Sequence, residues 1–193
     1  MSDSPRILAF AGSARKDSFN KRIVQIAANG ARAAGADVTY LDLRDLPLPL
    51  DDEDLEAEQG IPENALKLKE LMKSHQGFLI ASPEYNSSIT PLLKNAIDWA
   101  SRPAGDEPIL AAFLDKVAGI MSASPGGLGG LRGLVHLRSL LGNIQVLVLP
   151  DQFAVMGAHE AFNPDGTLKD SQQQEALEKI GAKVAAVVTK LNG

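Results

Sequence analysis

The chain has 193 residues, of which 45% are hydrophobic and 22% are charged, and its formal net charge at pH 7 is −5. This balance is typical of a globular protein with a sizeable core, and the negative charge disfavours partners such as nucleic acids and anionic membranes. The absence of cysteine from the sequence excludes disulfides, thiolate metal sites, iron–sulfur clusters and thiol catalysis.

The N-terminal part of the sequence alternates strand and helix patterns. Residues 7–11 are an apolar run that predicts a buried strand. Residues 20–34 predict a helix, because apolar side chains recur on one face and Gly35 stands where a helix ends. A second strand is expected at residues 38–43. The inward face of the helix comprises Ile23, Val24, Ala27, Ala31 and Ala34.

Residues 46–59 are the one long segment without a regular pattern. Its acidic run is interpreted as a solvated loop, with an interface for a partner as the alternative. A helix is expected next over residues 62–73, followed by a third strand at residues 78–81. The predicted inward residues of this helix are Leu66, Leu71 and Met72.

Thr90 and Pro91 predict the start of another helix, since threonine caps helices and proline suits their first turn. The expected buried stripe of this helix is Leu92, Leu93, Ala96, Ile97 and Ala100. Residues 117–121 predict the fourth strand and residues 131–141 the next helix.

The fifth strand is predicted at residues 144–149, with Pro150 as its end. Ser171 and Gln174 have the spacing of a capping box at the start of the last helix. Its expected inward residues are Leu177, Ile180, Val184, Val187, Val188 and Leu191. The segment after Pro150 otherwise contains no recognisable motif.

Strands without polar alternation, joined by helices, indicate a parallel sheet that is covered on both faces. The sequence therefore predicts one doubly wound α/β domain over residues 1–193, with a five-stranded parallel sheet in the flavodoxin-like order 2-1-3-4-5 and helices on both faces. In such folds a ligand binds outside the carboxyl ends of the strands, where the strand order reverses. We therefore expect the chemistry in the loops after strands one, three and four.

The loop at residues 12–20 has the features of a phosphate site. Gly12 is expected to permit a tight turn, and Arg15 offers a planar guanidinium. Polar side chains at the predicted helix start add donors: Ser13, Ser18 and Asn20. The loop is neither a P-loop nor a dinucleotide fingerprint, because Asp17 and Ala14 occupy positions that require glycine. A cofactor with one phosphate therefore fits better than ATP or a dinucleotide.

The loops after strands three and four offer surfaces for a flat ring. In residues 82–88, Tyr85 can lie against a heterocycle while backbone amides bind its polar edge. The alternative is a plain turn with Tyr85 in the core. Residues 122–130 are rich in glycine, which allows close approach of backbone to a ligand, although a flexible linker has the same composition.

Three segments together, residues 12–20, 82–86 and 93–99 (LKNAIDW), resemble the NADPH-dependent FMN reductase family. That family is flavodoxin-like and includes bacterial quinone, chromate and azo-dye reductases. The resemblance implies that FMN is the cofactor, that NADPH or NADH donates hydride, and that a small acceptor receives it with ping-pong kinetics. It also implies a homodimer or homotetramer, and the absence of a signal-peptide pattern leads us to expect a cytoplasmic location.

The resemblance also assigns roles to individual residues. The family positions that bind the phosphate of FMN are matched by Ser13, Arg15, Ser18 and Asn20, with Phe19 beside them. The family positions on one side of the isoalloxazine ring are matched by Pro83, Glu84, Tyr85 and Asn86. Those on its other side are matched by Ser124, Gly126 and Gly127. Tyr85 is the candidate catalytic residue, as the stacking platform for flavin and nicotinamide. No metal site is expected, because the histidines lack ligand spacing.

Two alternatives remain at this point. A flavodoxin-type electron carrier would bind FMN without oxidising NAD(P)H, and a regulatory protein would keep the fold without activity. The acceptor is also open among free FMN, a quinone, an azo compound and chromate. Trp99 and His136 are interpreted as structural.

Overall fold

A computed structural model describes residues 4–192. Its strands are β1 (Arg6–Ala11), β2 (Asp37–Leu41), β3 (Gly77–Ala81), β4 (Val117–Ala123) and β5 (Leu147–Val155). Its helices are α1 (Phe19–Ala33), α2 (Glu53–Gln59), α3 (Glu63–Ser74), α4 (Pro91–Ser101), α5 (Leu131–Asn143) and α6 (Ser171–Asn192). All strand pairs are parallel and the order is β2-β1-β3-β4-β5, which confirms the predicted flavodoxin-like fold.

The sheet separates two apolar layers. One layer joins α1 and α6 to the sheet, and the other joins α3, α4 and α5 to its opposite face. Successive residues of β1 enter different layers, since Ile7 and Ala9 lie in the first and Leu8 and Phe10 in the second. This explains why the strand sequences show no polar alternation. Among residues 4–192, no helix is both long and apolar enough to cross a membrane.

Helices α1 and α6 pack with their backbones in close approach because each contributes a glycine to the contact. A Cβ atom added to Gly30 would overlap with the backbone of Glu178. One added to Gly181 would overlap with the carbonyl oxygen of Ala27 and would lie 2.9 Å from the backbone nitrogen of Ala31. Backbone atoms cannot rotate away, so these positions fix the distance between the two helices.

We expect Gly181→Ala to lower the free energy of unfolding by about 2 kcal/mol, because α6 must move away from α1. For a protein of this size the melting temperature should fall by roughly 4–8 °C. The control is Gly142→Ala near the end of α5, where an added Cβ meets no atom within 4 Å. That variant should keep or raise the melting temperature, since alanine favours a helix. Equal behaviour of the two variants would contradict the packing argument.

The predicted end of the fifth strand is wrong. Strand β5 begins at Leu147 and continues through Pro150 to Val155, with an irregular register against β4 between Ala118 and Ile120. Proline is tolerated because β5 is an edge strand and the sheet does not need every backbone N–H there.

The interpretation of residues 46–59 as a loop is also wrong, whereas its acidic run contains no buried residue, as expected for a solvated segment. The segment contains α2, whose start is capped by Asp52. The carbonyl oxygen of Pro49 accepts hydrogen bonds from Trp99 Nε1 at 2.9 Å and from Asn95 Nδ2 at 2.8 Å. Arg102 Nε donates to Glu56 Oε2 at 2.7 Å. The acidic segment is therefore docked on α4, and the fully buried Trp99 is structural, as predicted.

Smaller corrections concern the ends and faces of elements. Strand β2 ends at Leu41, and Leu43 begins a short 3-10 helix. Three residues predicted to face inward are exposed instead: Ala34, Leu66 and Leu191. The cap of α6 is Asp170 and not Ser171, because the helix already begins at Ser171, and the Asp170 carboxylate accepts from the backbone N–H of Gln172 at 2.8 Å.

Lysine occupies an inward position of α3. Lys69, only 2% exposed, contacts the Glu107 carboxylate and the carbonyl oxygen of Arg102. Glu107 also accepts from the backbone N–H of Ala104 at 2.9 Å and pairs with Lys73 at 3.1 Å. This ion cluster attaches the loop that follows α4 to α3.

Candidate cofactor-binding site

The loops after β1, β3 and β4 converge at the carboxyl edge of the sheet. They enclose a cleft with a cavity of ≈ 120 Å³. It is lined by Ser13, Arg15, Ser18, Phe19, Asn20, Pro83, Glu84, Tyr85, Ala123, Ser124 and Pro125. The remaining residues that the family resemblance singled out lie in the same loops, next to this lining: Asn86, Gly126 and Gly127. The structure therefore brings the sequence-derived candidates into one place.

The start of α1 forms one end of the cleft. Ser18 is the N-cap residue, is buried, and its hydroxyl does not cap the helix. Ser13 is also buried, and its Oγ accepts from the backbone N–H of Arg15 at 3.3 Å. The first turn of α1 contains no acidic residue. Free backbone amides, an unused hydroxyl and the positive end of the helix dipole make this a suitable anion site.

Asn20 connects two of the loops that line the cleft. Its Nδ2 donates to the carbonyl oxygen of Ala123 at 2.8 Å, and its Oδ1 accepts from the backbone N–H of the same residue at 3.0 Å. Both groups are buried. The side chain therefore joins the first turn of α1 to the end of β4, so the two loops keep a fixed separation.

Glycine is needed at position 12 because the loop after β1 packs closely on α4. The tight turn that the sequence led us to expect does not explain it. The carbonyl oxygen of Gly12 accepts from Thr90 Oγ1 at 2.7 Å, and an added Cβ would lie 2.8 Å from Leu93 Cβ. Thr90 also caps α4, as predicted, by accepting from the backbone N–H of Leu93 at 3.2 Å. Gly12 thus lets the loop after β1 lie directly on the start of α4.

Tyr85 begins a tight turn at the mouth of the cleft. Its backbone N–H and carbonyl oxygen pair with those of Ser88 at 2.9 Å and 3.0 Å. The two central residues, Asn86 and Ser87, have φ values of 51° and 67°, which corresponds to a type I′ turn. The side chain of Tyr85 is 54% exposed. The alternative of a core tyrosine is therefore wrong, and the ring is accessible to a ligand.

Glu84 connects the loop after β3 to α5. Its carboxylate accepts from the backbone N–H of Gly133 at 3.0 Å and from Arg132 Nη2 at 2.9 Å. It caps a helix whose own N-cap residue, Gly130, has no side chain. Burial by itself would raise the pKa of Glu84, but these hydrogen bonds and the charge of Arg132 outweigh it and lower the pKa. The sequence did not reveal this cap, because the contact spans 49 residues.

The glycine-rich loop contains two kinds of glycine. Gly130 has a φ of 92°, and an added Cβ would overlap with the Ser122 hydroxyl, which donates to the carbonyl oxygen of Ser82 at 2.7 Å. Gly127, in contrast, has no atom within 4 Å of an added Cβ, and the nearest atom to one on Gly126 is 3.6 Å away. The fold therefore requires glycine at position 130 but leaves open backbone at positions 126 and 127, where a ligand can approach closely.

The end of β5 and the segment that follows it, in which the sequence showed no motif, also contact the loops of the cleft. The carbonyl oxygen of Val155 accepts from the backbone N–H of Ser124 at 3.1 Å. Phe162 stacks on Phe19 with ring centroids 6.0 Å apart and an interplanar angle of 9°. The only sequence signal for this contact was Asn-Pro-Asp-Gly at residues 163–166. This sequence is typical of a turn, and a turn there can direct the neighbouring residues towards the cleft.

The histidines lie outside this cleft. His75 is buried, where its ring nitrogens contact the carbonyl oxygen of Leu71 at 2.6 Å and Thr39 Oγ1 at 2.9 Å. His136 Nδ1 lies 3.0 Å from Ser88 Oγ on the surface of α5. Both are engaged in structural contacts, as expected for His136 from the sequence.

Comparison with known proteins agrees with this geometry. Residues 5–160 match the family described as NADPH-dependent FMN reductase. The chain is 34% identical over 194 residues to an NAD(P)H-dependent FMN reductase of Pseudomonas aeruginosa, with 100% of each chain covered. It is 33% identical to an NAD(P)H:quinone oxidoreductase of Solanum tuberosum, over 97% of this chain and 95% of that relative.

A solved structure extends the agreement to three dimensions. The flavoenzyme NAD(P)H:(acceptor) oxidoreductase FerB from Paracoccus denitrificans superposes with a TM-score of 0.81 at 27% identity, covering 96% of this chain and 98% of that one. The family match spans most of the sequence and includes all three loops of the cleft. The chain therefore belongs to the NADPH-dependent FMN reductase family, oxidoreductases that pass electrons from NAD(P)H through FMN to an acceptor.

Proposed function

We propose that this cleft binds FMN, with its phosphate at the start of α1 and its ring between the Tyr85 turn and the glycine-rich loop, and that the enzyme reduces quinones. The observation that carries the proposal is the unused anion site at α1. Ser18 is buried there without a capping bond, beside Ser13 and Arg15. A hydroxyl without a hydrogen-bond partner and free amides at a helix start are suited to a phosphate.

The chain's own residues bind and orient the cofactor in this proposal. Arg15 and the α1 amides hold the phosphate, while Ser124 and the open backbone at Gly126 and Gly127 lie against the ring. FMN, when bound, supplies hydride chemistry that no side chain of the protein can perform. Among the described hydrogen bonds of residues 4–192, none uses the backbone N–H groups of Asn86 or Ser87. These amides are available to stabilise negative charge at the polar edge of the ring.

A quinone acceptor is supported by the relatives and by the mouth of the cleft. Relatives from Solanum tuberosum and Escherichia coli bear the names NAD(P)H:quinone oxidoreductase and quinone reductase. Exposed Tyr85 and Pro125, which both line the cleft, give it an apolar surface that suits a flat, uncharged ring. Donor and acceptor would use this surface in turn, which leads to ping-pong kinetics. A homodimer or homotetramer and a cytoplasmic location belong to the same proposal, through the family resemblance.

The proposal is tested by the visible absorbance spectrum of the purified protein after incubation with FMN and removal of free flavin. We expect the protein to retain the flavin spectrum, to lose it on addition of NADPH and to recover it on addition of 1,4-benzoquinone. Retained flavin that NADPH does not bleach would support the electron-carrier alternative. Failure of the protein to bind FMN, even in a titration with excess FMN, would refute the proposed site.

Tyr85→Ala is expected to lower kcat/KM for the quinone by about three- to tenfold, because an aromatic stacking contact contributes about 0.5–1.5 kcal/mol. The FMN dissociation constant should rise by no more than about the same factor, because the contacts with the phosphate at the start of α1 do not involve Tyr85. Tyr85→Phe is the matched control, because it keeps the ring and removes the hydroxyl. Steady-state kinetics with NADPH and benzoquinone measure the difference. Unchanged kinetics in the alanine variant would remove Tyr85 from the mechanism.

A further inference from the structure

The segment between β5 and α6 contains a well-defined hairpin. Phe162 and Leu168 form an isolated antiparallel bridge, and the backbone N–H of Asn163 donates to the carbonyl oxygen of Thr167 at 2.8 Å. The turn closes with the N–H of Gly166 on the carbonyl oxygen of Asn163 at 3.0 Å, and Gly166 has a φ of 92°. These bonds give the base of the hairpin a defined conformation.

Phe162, at the base of this hairpin, contacts the first turns of α1. Its ring stacks on Phe19, the first residue of α1, which lines the cleft directly after Ser18. The guanidinium of Arg22 lies 3.9 Å from the centroid of the Phe162 ring and donates to the carbonyl oxygen of Asn163 at 3.4 Å. Phe162 therefore contacts two residues, three positions apart, on the helix whose start forms the anion site.

The end of β5 and the start of the same segment contact the opposite wall of the cleft. The backbone N–H of Ser124 donates to the carbonyl oxygen of Val155 at 3.1 Å. The backbone carbonyl oxygen of Ser124 accepts from the N–H of Ala158 at 3.0 Å. Ala158 is fully buried. The chain thus attaches to the glycine-rich loop first and to α1 a few residues later, and both attachments determine the width of the cleft.

We propose that Phe162 is a positioning residue for the phosphate of FMN. Its ring fixes the first turn of α1, and with it the Ser18 hydroxyl and the helix amides, in the orientation that a phosphate requires. The inference rests on the proposed function and deepens it. A phenylalanine that only filled the core would affect the fold alone, whereas this ring packs on a side chain that itself lines the cleft.

The test compares the affinities of the apoprotein for FMN and for riboflavin, which lacks the phosphate, by quenching of flavin fluorescence. Phe162→Ala should weaken FMN binding by about three- to tenfold, as expected for the loss of one aromatic pair, and should change riboflavin binding by less than about twofold. Phe162→Tyr keeps the ring and should restore FMN affinity. The control for lost stability is Phe113→Leu, a buried phenylalanine in the apolar layer on the other face of the sheet.

The outcomes separate the inference from the proposed function. Equal weakening of FMN and riboflavin in Phe162→Ala, or an unchanged FMN affinity, would overturn the positioning role. A similar change in Phe113→Leu would also overturn it, because a general loss of stability would then explain the result. If the wild-type protein binds FMN no more tightly than riboflavin, the phosphate site itself is wrong and the proposed function fails with it. Melting curves ensure that every variant is folded at the temperature of the titration.

Discussion

Replacing Arg15 by alanine is expected to weaken FMN binding by about ten- to a hundredfold, because a charge-assisted hydrogen bond to a phosphate contributes about 1.5–3 kcal/mol. Arg15 is exposed, and no hydrogen bond or ion pair described for residues 4–192 uses its guanidinium. The melting temperature of the apoprotein should therefore stay within about 1 °C of the wild type. Titration of apoprotein with FMN at fixed ionic strength gives the dissociation constants.

The matched control is Lys16→Ala. Lys16 is the next residue, is also exposed and has the same charge, but it does not line the cleft. It should lower FMN affinity by less than about threefold, through the long-range field alone. Arg15→Lys should restore only part of the affinity, since an ammonium lacks the planar fork of arginine. Equal losses of FMN affinity in the Arg15 and Lys16 variants would show that only the long-range electrostatic field of these residues matters. Arg15 would then make no direct contact with the phosphate.

The second large effect concerns stability. Burial by itself would raise the pKa of Glu107, but hydrogen bonds from Lys69, the Ala104 N–H and Lys73 outweigh it and lower the pKa from 4.5 to about 2. This difference corresponds to about 3 kcal/mol of stability at neutral pH. Glu107→Gln should lose about that amount, because the charge of the buried Lys69 remains without its counter-ion. The melting temperature should fall by roughly 6–12 °C.

The pH dependence of this effect follows from the direction of the shift. A carboxylate whose pKa is lowered on folding stabilises the fold above its ordinary pKa and loses that contribution as the pH falls from 4.5 towards 2. The difference in urea stability between wild type and Glu107→Gln should therefore narrow progressively below pH 4.5. Glu63→Gln is the control, because its carboxylate pairs with Lys67 on the exposed face of α3, the helix that carries Lys69. A constant difference down to pH 3 would contradict the assignment.

The fold could be predicted from the sequence because its signals are local. Apolar runs such as residues 78–81, the cap formed by Thr90, and the helix-ending Gly35 each depend on neighbouring residues. The strand order followed from the number of strands, because five parallel strands suggest the flavodoxin-like arrangement. The position of the cleft followed from that order, which is why three loops far apart in the sequence were expected together.

What the sequence did not reveal depends on contacts between distant residues. The pairing of Asn20 with Ala123 spans 103 positions, and no local pattern marks it. The contact of Phe162 with Phe19 and the docking of the acidic segment on Trp99 are of the same kind. Strand β5 was misread because Pro150 is a valid local signal for a strand end, and its tolerance at a sheet edge is a property of the tertiary structure.

The two edge strands of the sheet bear on how this protein avoids aggregation. On β5, Pro150 removes a backbone donor, and Arg138 donates to the carbonyl oxygens of Val148 and Pro150 at 3.3 Å and 3.4 Å. On β2, Arg32 donates to the carbonyl oxygen of Val38 at 3.2 Å. A strand from another molecule would meet a missing donor and occupied acceptors at these positions. The native sheet is therefore a poor template for intermolecular β-pairing, although its central strands are among the most apolar segments of the chain.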